Sequence, residues 1–349
     1  MVDRPDLPIP ISEQLLINAS SEMSASRVLC TSMGRGQCAE SIAERLPETH
    51  VTCHFFDLYH FNETCEFIRD LPNLEVTCGP DFPEGEYDLF VFPCTKGGES
   101  ELTRELLESG YDLLKNSGWL LTAVDNAKDT WLHHEVEKLS KGLIRRPKPK
   151  GMVYRVQKKA PLKRKRDRRH EFAFRDGENL IKLVSRPGVF SHRQLDLGAR
   201  ALLEGFEVQP GMKVLDIGCG TGAVGLAAAL RAEDVTVLSL DSSARAIECT
   251  RLGAELNGLS DRVTASLDAD GSTIPAAQFD LAVGNPPYYS QYKIADIFLH
   301  NARRGLKPGG KAVMVTKQPE WFIARMEQLF LSEPTLEQHR GYDVITVVK

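Results

Sequence analysis

The sequence lacks the features that would place it in a membrane or give it a metal or disulfide framework. None of its 349 residues lies in an apolar run long enough to span a bilayer, and the N-terminal stretch lacks the basic and apolar regions of a signal peptide. Eight cysteines are present, but none forms a CxxC pair and their spacing matches no zinc template. We therefore expect a cytoplasmic protein with no membrane segment, no metal and reduced cysteines, most of them buried in apolar strands.

Acidic residues slightly outnumber basic residues overall, but positive charge is concentrated in one place. The formal net charge is −5, yet eight of the twelve residues at 158–169, KKAPLKRKRDRR, are basic. A concentrated basic stripe matters more for binding nucleic acid than the net charge does. Lys163, Arg164, Lys165 and Arg166 are therefore candidate RNA contacts. The alternative is a solvated linker whose charges only prevent collapse.

The chain repeats itself. Five landmarks recur in the same order, pairing residues 28–39 with 214–225, 51–57 with 235–241, 86–92 with 278–284, 113–124 with 305–316, and 151–159 with 341–349. Short apolar strands alternate with helical stretches in both copies, which predicts mostly parallel sheets with helices on both faces. We predict an N-terminal domain over residues 1–157, a basic linker over 158–185 and a C-terminal domain over 186–349.

A glycine-rich turn in the second copy is the first candidate site. Residues 216–222, DIGCGTG, follow an apolar strand and open a predicted helix. Glycine permits positive φ and the close approach of a ligand. Dinucleotide enzymes carry a related turn, so the glycines alone do not decide the ligand. Asp216 precedes the glycines, and Asp241 ends the next strand, where a carboxylate can accept both hydroxyls of a ribose. The pattern favours a nucleoside without a pyrophosphate; the alternative is a turn used only for helix–sheet packing.

A second candidate site follows the apolar strand at residues 279–283. Here the chain reads NPPY, from Asn285 to Tyr288. Prolines end strands because they lack a backbone donor and fix φ. The strand therefore ends on a rigid tip that holds one amide and one aromatic side chain beyond the sheet.

VLDIGCGTG with LSLD resembles the cofactor site of class I S-adenosylmethionine-dependent methyltransferases, and NPPY resembles the catalytic motif of those that methylate an amino group conjugated to a planar system. The resemblance implies two tandem Rossmann-like class I methyltransferase folds, with S-adenosylmethionine as cofactor. The implied cofactor contacts are Asp216, Gly218, Cys219, Gly220, Gly222, Asp241, Ser242, Asp268 and Asn285. Of these, Asp268 is expected to accept from the adenine amine, although a solvated loop carboxylate is the open alternative.

The NPPY resemblance implies how the methyl acceptor is prepared. An exocyclic amine is a poor nucleophile because its lone pair is delocalised into the ring. The Asn285 side-chain oxygen and the Pro286 carbonyl are expected to accept the amine hydrogens and turn the lone pair towards the methyl group. Tyr288 is expected to stack on the base. For Tyr289, lining the pocket and packing on a helix both remain open.

Residues 187–204, PGVFS…LDLGARALLE, indicate which family of methyltransferases the chain resembles. They resemble the segment preceding the catalytic domain of ribosomal RNA guanine-N2 methyltransferases, the small-subunit type above all. In that family the segment lies over the cofactor pocket, so Phe190 and Ser191 are candidate cofactor contacts. The alternative is an amphipathic helix after a Pro-Gly turn.

The same family pairs a degenerate methyltransferase-like copy with an active one, and the first copy here has lost the motifs. Cys30 stands at the position of Asp216 and Pro93 at that of Asn285, whereas the acid that ends the second strand is expected to survive as Asp57. We expect this copy to bind no cofactor and to serve RNA docking or stability.

The resemblance implies an enzyme that methylates the exocyclic N2 amine of a guanine in ribosomal RNA, most specifically 16S. Its expected partner is ribosomal RNA or a ribosomal subunit, and we expect a monomer. Three alternatives remain open: N6-adenine methylation of RNA or DNA, glutamine methylation of a translation factor, and a non-enzymatic RNA-binding factor.

Overall fold

The computed structural model describes residues 7–287 and 291–349, and the chain divides into two compact units. The first unit, Met1–Arg168, has one seven-stranded sheet within its described residues. Its strands are β1 (Arg27–Thr31), β2 (His50–Phe55), β3 (Leu74–Cys78), β4 (Tyr87–Cys94), β5 (Leu114–Val124), β6 (Ile144–Lys148) and β7 (Gly151–Gln157). Its helices are α1 (Ile11–Ser20), α2 (Gln37–Arg45), α3 (Leu58–Phe67), α4 (Ser100–Asp112) and α5 (Trp131–Leu139).

The second unit, Arg169–Lys349, contains a two-stranded hairpin and a second seven-stranded sheet within the described part of the chain. Its strands are β8 (His170–Asp176), β9 (Asn179–Ser185), β10 (Lys213–Ile217), β11 (Thr236–Asp241), β12 (Val263–Leu267), β13 (Phe279–Gly284), β14 (Leu306–Thr316), β15 (Thr335–His339) and β16 (Tyr342–Val348). Its helices are α6 (Leu197–Glu204), α7 (Ala223–Arg231), α8 (Ala244–Leu256), α9 (Lys293–Gly305) and α10 (Pro319–Phe330).

The two large sheets have the same strand order. It is β3-β2-β1-β4-β5-β7-β6 in the first unit and β12-β11-β10-β13-β14-β16-β15 in the second. In both, the first five strands of that order are parallel, and β7 or β16 runs antiparallel to its neighbours. The predicted tandem α/β folds are confirmed. Each sheet reverses its strand order between β1 and β4 or between β10 and β13, where such sheets bind ligands.

The sheet of the second unit is buried on both faces. Val214 and Val283 pack into one layer of apolar side chains, while their neighbours Leu215 and Ala282 pack into the layer on the opposite face. This alternation follows from the two-residue period of a strand. It explains why the central strands are almost continuously apolar in sequence.

The pairing register of the strands corrects one part of the predicted alignment between the two copies. The first residue of β1 pairs with the first residue of β2, and β10 and β11 pair in the same way. Phe55, and not Asp57, therefore stands at the position of Asp241. Asp57 instead caps α3, as Ser243 caps α8. The first copy has thus lost both acids of the second.

The predicted linker, residues 158–185, has two different parts. Residues 158–169 belong to no helix or strand, whereas His170–Ser185 forms the β8–β9 hairpin. The hairpin groups with the second unit, and β9 packs against α7 and α8. The boundary between the compact units therefore falls at Arg168, inside the segment we assigned to the linker.

The cysteines are free thiols, as predicted. All eight lie in the described residues; six are buried, Cys78 is partly buried and Cys65 is exposed. As for membranes, each helix within residues 7–287 and 291–349 is too short or too polar to cross a bilayer.

A buried carboxylate closes the turn after β1. Glu13, on α1, is completely buried. Its Oε1 accepts hydrogen bonds from the backbone N–H groups of Met33 (2.6 Å) and Gly34 (2.8 Å) and from the Ser32 hydroxyl. Its Oε2 accepts from the N–H of Cys38 at 3.4 Å. The side chain of Glu13 thus pairs the amides of a turn that in the second copy forms the candidate cofactor site.

Replacing Glu13 with alanine should lower the free energy of unfolding by about 2 kcal/mol, because several buried donors lose their acceptor. Urea denaturation of the full chain measures this. Glu22→Ala is the control, since the Glu22 carboxylate pairs with Arg146 on the exposed surface and should matter little. Equal stability of wild type and Glu13→Ala would contradict the assigned role.

Candidate active site

Three neighbouring strands of the second unit bring the predicted site residues to one edge of the sheet. Ile217 pairs with Leu240 on one side and with Gly284 on the other. The next residues, Asp241 and Asn285, therefore flank the glycine turn. Adjacent strands lie about 4.8 Å apart, so the two residues are separated by roughly 10 Å across the switch point.

Gly220 faces open space above the turn. Its φ is +55°, in the left-handed region, and an added Cβ would have only the carbonyl oxygen of Phe190 within 4 Å, at 3.9 Å. Gly222, with φ of +79°, is the N-cap of α7 and leaves no such space, because a Cβ there would meet Thr250. The backbone around Gly220 can therefore accept a ligand at close range.

Asp241 is anchored to the turn beside Gly220. Its Oδ2 accepts from the N–H of Gly220 at 2.9 Å, and its Oδ1 accepts from the N–H of Ser243 at 2.8 Å. A carboxylate has about four acceptor positions, so one aspartate can hold both hydroxyls of a ribose. Ser242, also predicted to contact the cofactor, is partly exposed next to it.

Asp216 lies beneath the turn rather than on its surface. It is 2% exposed, and its Oδ2 accepts from the N–H of Gly225 at 3.0 Å. A Cβ at Gly225 would come within 2.9 Å of that oxygen, so glycine lets the carboxylate reach the start of α7. Burial raises the pKa of Asp216 to about 7, and the negative charge of Asp241 acts in the same direction.

Cys219 points into the core of the unit. The residue is buried, and its sulfur lies 3.3 Å from the Thr250 hydroxyl. Its backbone N–H and that of Gly218 donate to the Leu240 carbonyl. These contacts fix the shape of the turn.

The segment before α6 lies over the glycine turn. Its backbone approaches Gly220 at Phe190, whose side chain is 67% exposed. The Pro187 carbonyl accepts from Arg245 at 2.9 Å, which ties the segment to α8. Ser191 has a positive φ of +62°, and helical structure begins only at Leu197, so Phe190 and Ser191 lie in a loop and not in an amphipathic helix.

Asp268 organises its own loop. One carboxylate oxygen accepts from the N–H groups of Asp270 (2.9 Å) and Gly271 (2.5 Å), and the other accepts from the N–H and hydroxyl of Thr273. Burial opposes ionisation, but the bonds from Thr273 and the loop amides hold the pKa of Asp268 below its usual value. These contacts show that Asp268 organises its loop, and its contact with an adenine amine remains a prediction.

Asn285 stands directly beyond β13, and its side-chain Nδ2 donates to Oδ2 of Asp196 at 3.0 Å. Pro286 is buried behind it. Tyr288 and Tyr289 lie outside the described residues. Sequence reasoning missed Asp196. An aspartate before a helical stretch predicts an N-cap. Asp196 is the N-cap of α6, because its Oδ2 also accepts from the N–H of Ala199.

The four RNA-binding candidates lie on an exposed segment that is fixed at both ends. Before them, the Lys158 ammonium donates to the carbonyls of Asp112 and Leu114 at 2.7 and 2.6 Å. After them, the buried Arg168 guanidinium makes two hydrogen bonds to Glu108, at 2.7 and 2.8 Å. Leu162 packs against the apolar core between these anchors.

One group outside this site has the chemistry of metal ligands. In the described residues, ligand atoms of His133, His134 and Glu137 lie within 4.8 Å of one another on α5. Glu137 is within 3.9 Å of both imidazoles, so the same group forms ion pairs when either histidine is protonated. The expectation that the protein holds no metal remains a prediction.

The family model for the methyltransferase small domain matches residues 180–346. The second unit belongs to the methyltransferase small domain family. This methyltransferase small domain contains every predicted cofactor and amine contact, whereas the basic segment lies outside the match.

Curated relatives confirm the resemblance found in the sequence. The chain is 35% identical over 178 residues to ribosomal RNA small subunit methyltransferase C of Pseudomonas aeruginosa, which covers 50% of this chain and 49% of that protein. It is 28% identical to the uncharacterized protein YbxB of Bacillus subtilis, over 51% of this chain and 90% of that protein. The chain spans about half the length of the methyltransferase C relatives that it matches.

A solved structure shares the fold of the whole chain. It is the T. thermophilus 16S rRNA N2 G1207 methyltransferase (RsmC) in complex with AdoMet and guanosine, with a TM-score of 0.83. The match covers 97% of this chain and 92% of that chain at 22% sequence identity. A likeness at this identity shows that the tandem architecture is common to both proteins.

Replacing Asp216 with asparagine should stabilise the methyltransferase small domain increasingly as the pH rises from about 4 to about 7. Because the folded pKa lies above the ordinary value of about 4, the folded chain holds this proton more tightly than the unfolded chain. The wild-type carboxyl therefore weakens folding as it ionises over that range. Denaturant unfolding of both proteins between about pH 4 and pH 8 measures the difference.

Asp280→Asn is the matched control with the opposite sign. Burial opposes its ionisation, but hydrogen bonds from Lys213 and Lys307 lower the pKa of Asp280, so the wild-type carboxylate should stabilise folding above about pH 4. A difference between wild type and Asp216→Asn that does not vary with pH would rule out the raised pKa.

Proposed function

We propose that the chain transfers a methyl group from S-adenosylmethionine to the N2 amine of a guanine in 16S ribosomal RNA. The observation that carries the proposal is the Asn285 amide, fixed at the end of β13 beside a glycine turn that opens onto free space. The relatives named as small-subunit methyltransferases support the substrate. Cytoplasmic location and a monomeric state are parts of the same proposal.

The residues around Gly220 fit the nucleoside of S-adenosylmethionine. Gly220 leaves the space above the turn open, Asp241 borders it, and the Phe190 segment approaches it. Asp241 would hold the ribose hydroxyls, and the backbone of the turn would face the methionine part. When bound, the cofactor supplies a methyl group on a positively charged sulfur.

Asn285 and Pro286 prepare the acceptor. Asn285 Oδ1 and the Pro286 carbonyl accept the two hydrogens of the target amine, which directs the nitrogen lone pair towards the methyl group. The buried Pro286 and the strand behind it hold both acceptors in place before the substrate arrives, which is where rate is gained by positioning. The predicted stacking of the base on Tyr288 belongs to the same proposal.

The basic segment is proposed as an RNA contact. Its four central side chains, Lys163 to Arg166, are exposed. Lys158 and Arg168 fix its ends, so less conformational freedom is lost on binding than in a free linker. Nζ of Lys165 lies 3.8 Å from Oδ2 of Asp112. The pair is exposed, so an RNA phosphate can take the place of the Asp112 carboxylate at little cost in free energy.

Asn285→Ala should lower kcat for methyl transfer to RNA by at least about 10²-fold, because one of the two acceptors for the amine is lost. The affinity for S-adenosylmethionine should stay nearly unchanged. Tritiated cofactor with ribosomal subunits and naked ribosomal RNA from cells lacking the enzyme, followed by nucleoside analysis, gives the rate and the product. Calorimetric titration gives the cofactor affinity.

The product distinguishes the candidate functions. N2-methylguanosine as the product supports the proposal. N6-methyladenosine would show that the target base is adenine and not guanine, and label in protein would indicate a glutamine target. If wild type binds no S-adenosylmethionine, the enzymatic proposal is wrong and the RNA-binding factor takes its place. Parallel loss of cofactor affinity and activity in Asn285→Ala would show that its side chain serves the cofactor.

Neutralising Lys163, Arg164, Lys165 and Arg166 to glutamine should weaken RNA binding and flatten its salt dependence. Each lost phosphate contact removes about 0.7–0.9 from the slope of log affinity against log salt. Filter binding of ribosomal RNA at several salt concentrations measures the slope. The control exchanges lysine for arginine and arginine for lysine at the same four positions, which keeps the charge and should keep the slope. An unchanged slope in the neutral variant would reduce the segment to a linker.

A further inference from the structure

The Asn285 side chain is held by a residue from another element. Asp196, the N-cap of α6, places its Oδ2 3.1 Å from the N–H of Ala199 and 3.0 Å from Nδ2 of Asn285. One carboxylate oxygen therefore caps the helix and binds the amide 89 residues further along the chain. The cap and the candidate catalytic side chain share one anchor.

This contact determines which end of the Asn285 amide remains for a substrate. A carboxylate accepts hydrogen bonds and does not donate them, whereas a side-chain amide donates from nitrogen and accepts at oxygen. Only the nitrogen of Asn285 can face Asp196. Oδ1 is thereby kept as the acceptor end, and a rotation of the amide by half a turn would set oxygen against oxygen.

Gly198 permits the close approach. A Cβ at this position would lie 2.7 Å from Asp196 Oδ2 and 3.2 Å from both the nitrogen and the oxygen of the Asn285 amide. The residue lies in α6 and its φ is not positive, so alanine fits the backbone. The absence of a side chain here serves the Asp196–Asn285 contact and not the conformation of the helix.

We propose that Asp196 is a positioning residue that fixes the Asn285 amide with its oxygen available, so that the site selects targets bearing hydrogens, such as an amine, over targets presenting a carbonyl oxygen. This inference rests on the proposed function and deepens it. Asp196 itself does not touch the substrate. It removes the alternative amide orientation, which would present a donor to the amine and repel it.

Asp196→Ser is the variant that separates positioning from helix capping. Serine is as good an N-cap as aspartate, but its hydroxyl is too short to reach both the helix and Asn285. We expect kcat for methyl transfer to fall by about 10²-fold, as for other small misplacements of catalytic groups. The RNA KM, the cofactor Kd and the Tm should stay near those of wild type.

Three further variants control the interpretation. Asp196→Asn keeps a side-chain oxygen that can accept from Asn285 and should recover part of the lost kcat. Asp57→Ser exchanges the same residue types at the cap of α3 in the first unit and should leave kcat unchanged. Gly198→Ala should lower kcat without lowering the Tm, because the added methyl group displaces the amide.

A spectroscopic measurement tests the orientation without relying on activity. The side-chain amide of Asn285 gives a pair of proton–nitrogen NMR signals, identified by their absence in Asn285→Ala. One proton is bound to a carboxylate in wild type, so the two proton shifts should differ strongly. In Asp196→Ser they should move towards the values of an exposed asparagine.

The outcomes separate the two proposals. Reduced kcat with unchanged KM, Kd and Tm, together with the shifted amide signals, supports the role of Asp196. An unchanged amide pair in Asp196→Ser, or a loss of Tm and affinity parallel to that of kcat, overturns it. If wild type methylates no guanine, the proposed function fails, and the amide signals alone then support or overturn the orienting contact.

Discussion

The pairing of a carboxylate with the backbone amides of a strand–turn–helix junction is the interaction on which both units depend. The turn after the first strand leaves N–H groups that must find acceptors where water is excluded. In the second unit Asp241 supplies the acceptor from the side, from the adjacent strand, and the space above Gly220 stays open. In the first unit Glu13 supplies it from α1. The same requirement is thus met in one copy by a residue that borders a pocket and in the other by one that closes the turn.

This difference describes the degenerate copy in physical terms, beyond the loss of its motif residues. Phe55 occupies the place of Asp241 and Cys30 that of Asp216, so the first unit keeps neither carboxylate of the second. An anionic ligand would have to displace Glu13 from a buried position to reach the amides, which carries a desolvation cost with no compensating partner. The first unit therefore holds its turn by an internal bond, which suits a part that contributes stability and, in our proposal, an RNA-binding segment.

Much of the architecture could be predicted from sequence because the strands of a parallel sheet are apolar on both faces and the repeat preserves their order. The error in aligning Asp57 with Asp241 has a physical cause. A shift of two residues keeps every strand side chain on the same face, so the apolar pattern cannot detect it. Only the pairing register shows that Asp57 is a helix cap. The loop-organising role of Asp268 could not be predicted for a related reason. Its four loop contacts come from residues that no sequence periodicity connects to it.

The candidate site also shows why Asp196 could not be found by motif. Its helix-capping bond is local and predictable, but its bond to Asn285 crosses 89 residues and exists only because α6 begins near the carboxyl end of β13. The conformation of α6 does not require glycine at Gly198; the requirement is steric and arises only from the contact between Asp196 and Asn285. The rigid prolines fix the backbone of the tip, but they do not determine which end of the amide faces outwards. That choice is made by a carboxylate outside the motif, so the chemistry of NPPY in this chain depends on the segment that precedes the sheet as much as on the tip itself.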